Sequence, residues 1–307
     1  MSPPVSRAGF VAIVGRPNVG KSTLTNLIAG EKVSIVSDVP QTTRNRIRGI
    51  RTMPGGQIVV VDTPGIHKPR HTMNRWMVAE ATAAIRDVDL ILFMIEVEPG
   101  GRPRGPDLGP GDKFVLTLLE QEKTPTFLIV NKVDRVRKHA LLPLIDRLKD
   151  RFPFREIFPI SALTGENAAG LAERCLAYLP EGPPLFSDEH ATDRPERFMA
   201  SEIIREKILH HTRQEIPHET CVLIDTFVQK EGDLTRIEAS ILVEKESQKG
   251  IVIGKDGGLL KIIGTEAREE LEGMLGAKVF LTMWVKVREG WRDDETILQR
   301  LEIRSTS

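Results

Sequence analysis

The sequence predicts an α/β fold in its first part, a mostly parallel sheet covered on both faces, followed by a smaller α+β domain. Three observations carry this expectation. Apolar runs alternate with amphipathic stretches up to about residue 180. A glycine-rich loop separates the first apolar run from the first amphipathic stretch. Beyond the Pro/Gly-containing segment Leu179–Pro195 the rhythm changes to paired alternating runs.

Phe10–Val14, Gln57–Val61, Leu90–Ile95, Phe127–Val130 and Ile157–Ile160 are almost continuously apolar, the pattern of short strands buried on both faces. Helical periodicity falls at Lys21–Ala29, Arg75–Ile85, Lys113–Gln121, Leu141–Arg151 and Leu171–Leu179, with Gly30 placed to cap the first helix. Pro99–Gly111 reads as a surface loop tolerated as an insertion. In the second part Glu196–Thr212 reads as a helix. Thr220–Gln229 and Leu234–Val243 form a hairpin about Lys230–Asp233. A short helix ending at Gly254, a helix over Gly258–Leu275 and a strand over Lys278–Val287 complete an α-β-β-α-α-β order. The expected boundaries are 1–180 for the first domain, 181–195 for a linker and 196–307 for the second.

Composition narrows the class. The 307 residues are 40% hydrophobic and 28% charged, a balance that supports packed cores. No apolar run approaches the roughly 18 residues of a membrane helix, and Met1-Ser2-Pro3-Pro4 lacks the pattern of a signal peptide. Cys175 and Cys221 have no metal-type spacing and read as reduced core thiols of a cytoplasmic protein. Formal net charge is zero, and residues 196–307 hold 17 basic and 21 acidic groups, so any nucleic-acid site there has to be a local patch.

Gly15-Arg16-Pro17-Asn18-Val19-Gly20-Lys21-Ser22 fits G-x-x-x-x-G-K-[ST], with Thr23 following in the first helical turn. The loop has to approach phosphates closely, so side chains are excluded at Gly15 and Gly20. Its amides then form an anion nest at a helix N-terminus. Lys21 brings charge to the β- and γ-phosphates, and the Ser22 hydroxyl is an expected Mg²⁺ ligand. Asp62-Thr63-Pro64-Gly65 ends an apolar strand, where the Asp62 carboxylate reaches the same ion and the Gly65 amide the γ-phosphate. Between these motifs, Gln41-Thr42-Thr43-Arg44 offers a hydroxyl that completes the metal shell only while the γ-phosphate is present. Thr43 is favoured and Thr42 stays open. Lys21, Thr43 and Gly65 are thus the residues expected to act on the transferred phosphoryl group.

Asn131-Lys132-Val133-Asp134 follows the strand Phe127–Val130. A carboxylate at Asp134 accepts from the N1–H and exocyclic amine of guanine, a donor pair adenine lacks. The Lys132 stem lies along the base, and Ser161-Ala162-Leu163 supplies a backbone contact to the guanine oxygen.

In order and spacing these motifs resemble the translation-factor-related GTPases. Residues Thr192–Phe198, Glu202–Glu206, Glu215–His218 and Gln248–Gly257, with Trp284–Val287 and Trp291–Asp293, narrow the resemblance to the Era-like GTPases over residues 8–303. The 99–111 loop and the acidic second domain depart from that pattern. The resemblance implies a P-loop GTPase domain followed by a type II KH domain, with Gly254-Lys255-Asp256-Gly257 as the GxxG loop that clamps about four nucleotides. Lys245, Lys249, Ile253, Lys255 and Lys261 are then the expected RNA-binding neighbours, while Asp256 opposes a phosphate. It further implies binding near the 3′ end of 16S ribosomal RNA during assembly of the small ribosomal subunit, by a cytoplasmic monomer in peripheral contact with the inner membrane.

Ile66 stands where small signalling GTPases carry a water-orienting glutamine. Slow intrinsic hydrolysis is expected, with water held by backbone groups or a partner. Asn18 resembles a residue that holds K⁺ in related GTPases; a purely loop-shaping role is the alternative. His67 as a general base is disfavoured, because phosphoryl transfer here relies on positioning. Two other functions fit the motifs: a related GTPase whose C-terminal domain docks protein, and an RNA-binding module whose phosphate loop only stabilises the fold.

Overall fold

The computed structural model describes residues 6–66, 72–97, 108–187, 190–212, 216–230 and 233–302. His67, residues 99–107 of the Pro/Gly-rich loop, Glu215 and positions 231–232 of the hairpin turn lie outside the described residues. The chain separates into two compact units, one of Met1–Ser34, Pro40–Pro69 and Met77–Asp193, the other of Ile35–Val39, Arg70–Trp76 and Arg194–Ser307.

Up to Tyr178 the elements are β1 (Arg7–Val14), α1 (Lys21–Ala29), β2 (Ile47–Met53), β3 (Gly56–Asp62), α2 (Thr72–Arg86), β4 (Leu90–Glu96), α3 (Pro110–Leu119), β5 (Thr126–Asn131), α4 (Leu141–Leu148), β6 (Glu156–Pro159) and α5 (Ala168–Tyr178). The sheet order is β2-β3-β1-β4-β5-β6. All neighbours run parallel except β2, which pairs antiparallel with β3 from Ile47 opposite Asp62 to Met53 opposite Gly56. The apolar-run pattern does not pick out β2. Its sequence, Ile-Arg-Gly-Ile-Arg-Thr-Met, interleaves arginines that stay half-buried while Ile47 and Ile50 are covered, as suits the last strand of a sheet.

Two apolar cores explain why the central strands carry no polar face. Leu24 and Ile28 of α1, with Leu171 and Cys175 of α5, close on Val11 and Ile13 from one side. Ile85 of α2, Val115 of α3 and Leu144 of α4 close on Val14 and Phe93 from the other. Burial pushes the Cys175 thiol far up, which keeps it protonated and inert. The segment expected as a free linker is partly strapped down. Gln57, fully buried on β3, accepts from the amides of Leu185 (2.8 Å) and Phe186 (2.9 Å) and donates to the Phe186 carbonyl (2.9 Å). Ile50 of β2 donates to Ala191 O at 2.7 Å.

The second unit contains α6 (Glu196–His211), α7 (Ile216–Glu219), β7 (Cys221–Lys230), β8 (Leu234–Val243), α8 (Glu246–Ile253), α9 (Gly258–Leu275), β9 (Lys278–Val287) and α10 (Glu295–Arg300). Strands β7 and β8 are antiparallel, β8 and β9 parallel, in the order β7-β8-β9. Ile204 and Ile208 of α6 and Ile263, Ala267 and Leu271 of α9 pack on Val222, Ile237 and Ile241 of the sheet. The short α7 and α10 are additions to the α-β-β-α-α-β order. A polar knot ties the C-terminal segment to this unit. The Trp291 indole donates to Glu219 O at 3.0 Å, and Arg292 pairs with Glu219 (3.2 Å) and Glu244 (3.0 Å). Gln248 accepts from the Lys245 amide at 3.1 Å and donates to Glu219.

Candidate functional site

The phosphate loop joins β1 to α1 on the central strand of the sheet. Gly15 is required because a Cβ there would lie 2.4 Å from Met94 O. Gly20 adopts φ +103°, and a Cβ there would lie 2.3 Å from Asn131 Nδ2. That amide explains the constraint. Asn131, 2% exposed, donates through Nδ2 to Val19 O at 2.7 Å and accepts through Oδ1 from the Ala162 amide at 2.9 Å. One side chain thus binds the phosphate loop, the base loop and the 161–163 turn together. Ser161 is fully buried and gives its amide to Glu166 O at 3.1 Å, while Leu163 is 77% exposed. Asp134 stands exposed in the 3₁₀ turn Val133–Arg135, reached from Lys132 in the left-handed conformation.

Lys21 is buried among loop carbonyls, 3.3 Å from Gly15 O and 3.0 Å from Arg16 O. Burial pulls its ammonium down to about 8, Asp62 opposing that shift and Arg16 adding to it. Three oxygen donors gather beside it. Ser22 Oγ lies 2.7 Å from Thr43 Oγ1, which donates to Asp62 Oδ2 at 3.3 Å. Thr43 therefore faces the other two. Ser34, which the sequence did not single out, donates to the same Oδ2 at 2.7 Å. Burial pushes the Asp62 carboxyl up, while Lys21 and the three hydroxyls pull it back. Its Oδ1 is buried with no hydrogen-bond partner. A buried carboxylate oxygen left over beside two hydroxyls is an oxygen-only donor set that fits Mg²⁺.

The turn after β3 sits against the phosphate loop. A Cβ on Gly65 would come within 2.8 Å of the Pro17 ring, and the Ile66 amide donates to Gly15 O at 3.3 Å. Thr63 turns its hydroxyl inward to Ile13 O (2.7 Å), and Ile66 is buried in the core. Charges ring the far side of the loop. Arg16 pairs with Glu96 (2.7 Å) and Asp112 (3.4 Å), and Lys132 reaches both Glu96 and, at 2.8 Å, Asn18 O.

In the second unit Gly254 links α8 to the turn Lys255–Gly257 and thence to α9. It adopts φ +74°, and a Cβ would lie 2.6 Å from Leu259 Cβ. Asp256 at φ +52° and Gly257 at φ +76° complete a tight loop, with Lys255 and Asp256 exposed. Beside it runs a groove of about 440 Å³ lined by Gly257, Lys261, Thr265 and Arg268 of the loop and α9 and by Leu281 and Met283 of β9. A Cβ on Gly264 would meet Met283 at 2.9 Å, so this glycine lets helix and strand approach. Lys245 and Lys261 are exposed, Lys249 pairs with Glu246 at 3.1 Å, and Ile253 packs against the core. The sequence reading missed Arg268, since a lone arginine on a helix carries no signal until β9 is placed beside it.

The profile of a family described as 50S ribosome-binding GTPase matches residues 10–132, and that of the KH domain matches residues 215–292. GTPase Era of Geobacter metallireducens is 52% identical over 296 residues, 96% of this chain and 97% of the relative. GTPase Era of Staphylococcus haemolyticus is 45% identical over 96% of each chain. Among solved structures, an Aquifex aeolicus Era variant bound to GDP.AlF4- superposes with a TM-score of 0.90 at 40% identity, covering 97% of this chain and 99% of that one. Era in complex with MgGDPNP and nucleotides 1506–1542 of 16S ribosomal RNA superposes with a TM-score of 0.91 at the same identity and coverage.

Proposed function

The chain belongs to the Era family of GTPases, and from that membership we propose that it is a GTP-driven switch whose KH domain holds the 3′ region of 16S ribosomal RNA during small-subunit assembly. Hydrolysis of GTP to GDP and phosphate is the activity of the first domain, residues 1–180. RNA binding belongs to the domain at 196–307, with 181–195 between them. The observation that carries the switch reading is the cluster of Ser22, Thr43 and Asp62 hydroxyl and carboxylate oxygens beside Lys21.

In this reading the amides of Gly15–Ser22 and the Lys21 ammonium surround the β- and γ-phosphates. Ser22, Thr43 and Asp62 hold Mg²⁺. The ion neutralises charge on the β- and γ-oxygens when bound. Thr43 comes from the segment between α1 and β2, so loss of the γ-phosphate removes one reason for that segment to stay closed. The Gly65 amide supplies a second γ-phosphate contact from the turn lying on Pro17. Asp134 selects guanine, and the buried Asn131 sets the distance between base and phosphate ends. Ile66, packed in the core, offers no group to orient water, which supports slow intrinsic turnover. Asn18, at the lip of the phosphate loop, is the proposed ligand for K⁺ beside the phosphates. At the RNA end, Gly254–Gly257 clamps the backbone, while Lys245, Lys249, Ile253 and Lys261 flank the bases' path. A cytoplasmic monomer with peripheral contact at the inner membrane completes the reading, on the strength of the resemblance alone. No helix among the described residues is long and apolar enough to cross a membrane.

The test is filter binding of a short 16S 3′-end RNA with the protein loaded with GDP or a GTP analogue, beside Gly257→Asp. The reading predicts affinity that depends on the nucleotide and collapses in the variant. Equal affinity in both nucleotide states removes the switch, and undiminished binding by the variant removes the KH assignment.

A further inference from the structure

We propose that Glu96 is a positioning residue of the guanine-nucleotide site, its carboxylate clamping the base-loop Lys132 and the phosphate-loop Arg16 so that the two ends of the pocket move as one. The inference rests on the reading of Gly15–Ser22 and Asn131–Asp134 as the GTP pocket.

The sheet places Glu96 where it is needed. It is the last residue of β4 and stands in register with Asn131, the last residue of β5. The next amide, Val97 N, donates to Asn131 O at 3.0 Å, which fixes the backbone on both sides. From there one carboxylate oxygen takes Arg16 Nη2 at 2.7 Å and the other takes the Lys132 ammonium. Lys132 also donates to Asn18 O at 2.8 Å. Lys132 is therefore tied to the phosphate loop twice, through the Asn18 carbonyl and through Glu96.

Charge explains why an acid is required. Arg16 and Lys132 converge on one spot and would repel there. Glu96 separates them, and Asp112 at the start of α3 takes the other side of Arg16 at 3.4 Å. The result is a neutral quartet of two cations and two carboxylates. Side chains of Arg16, Glu96 and Lys132 are 25%, 19% and 21% exposed. Solvent therefore screens these pairs less than it would surface ion pairs. Glu96 touches neither the transferred phosphoryl group nor the Mg²⁺ donors. Its effect passes through Lys132, whose stem lies along the base only while the ammonium is held.

The experiment measures affinity and dissociation of a fluorescent GDP analogue, and GTP turnover, for wild type, Glu96→Gln, Glu96→Asp, Lys132→Ala and the double variant Glu96→Gln/Lys132→Ala. The expected result is about tenfold weaker binding in Glu96→Gln, mainly through faster release, and a larger loss in KM than in kcat. Glu96→Asp, which keeps the charge, recovers part of it. The double variant binds no worse than Lys132→Ala alone, because Glu96 acts on the base only through Lys132. Wild-type affinity in Glu96→Gln, or full additivity in the double variant, overturns the proposal. A wild-type protein that fails to bind the GDP analogue at all overturns the pocket reading itself, and this proposal with it.

Discussion

The side-chain amide of Asn131 donates to the backbone carbonyl of Val19 across 2.7 Å, joining the end of β5 to the phosphate loop 112 residues earlier in the chain. Asn131→Ala leaves that carbonyl and the Ala162 amide buried and unpaired. It should cost about 2–4 kcal/mol of stability and loosen guanine-nucleotide binding in parallel, as read by denaturant unfolding and calorimetry. Gly20→Ala tests the same contact from the other side. Its Cβ would lie 2.3 Å from the Asn131 amide at a φ of +103°, so nucleotide binding should be lost.

The Thr43 hydroxyl lies 2.7 Å from Ser22 and 3.3 Å from Asp62. Thr43→Ala should weaken the Mg²⁺-dependent preference for a GTP analogue over GDP about tenfold. Thr42→Ala should alter that preference less. Chelation of Mg²⁺ should erase the difference between wild type and Thr43→Ala, measured as the ratio of the two dissociation constants.

Burial lowers Lys21 from its ordinary 10.5 to about 8. Between those values the unfolded chain holds a proton that the folded nucleotide-free protein has released. Stability should therefore rise with pH from about 8 to 10.5, and below 8 the cost of burying the charge is present in full. The difference in unfolding free energy between wild type and Lys21→Met, followed against pH without nucleotide, should slope in that window and be flat below it.

Ile66 is 1% exposed, within the core beneath α2. Ile66→Ala should cost about 2–4 kcal/mol of stability, while the folded fraction hydrolyses GTP within a few-fold of wild type. A collapse in turnover at full folding would show that this side chain shapes the attacking water's site. Turnover in K⁺ should exceed that in Na⁺, and equal rates would remove Asn18 as a K⁺ ligand.

In the KH unit, Lys249 is occupied by Glu246 at 3.1 Å, whereas Lys261 is exposed on the groove. Lys261→Ala should lower RNA affinity more than Lys249→Ala and reduce the salt dependence of binding by close to one phosphate contact. Arg268→Ala, on the same groove wall but paired with Glu272 at 3.0 Å, should lower affinity less than Lys261→Ala.

The buried strands were legible because both faces of the sheet are covered, which leaves runs such as Leu90–Ile95 with no polar position. The motifs holding Gly15–Ser22, Asp62 and Asp134 stand out in the sequence because nucleotide chemistry restricts residue type at fixed spacing. Strand β2 escaped because a strand covered less fully needs no apolar run, and its arginines mask it. Ser34 and Glu96 escaped for a different reason. Each acts through a partner far along the chain, Asp62 or Arg16, and nothing local marks the contact. Glu96 left one trace, an acid closing an otherwise apolar strand. The double role of Asn131 was hidden because the motif containing it already had an explanation in Asp134.

Asp134 is the most direct test of the account. Calorimetry on wild type should find GDP bound at least about a hundredfold more tightly than ADP. Asp134→Asn should lose that advantage and gain affinity for xanthosine diphosphate, whose 2-oxo group accepts where guanine donates. ADP bound as tightly as GDP by the wild-type protein would contradict the assignment of this pocket to guanine.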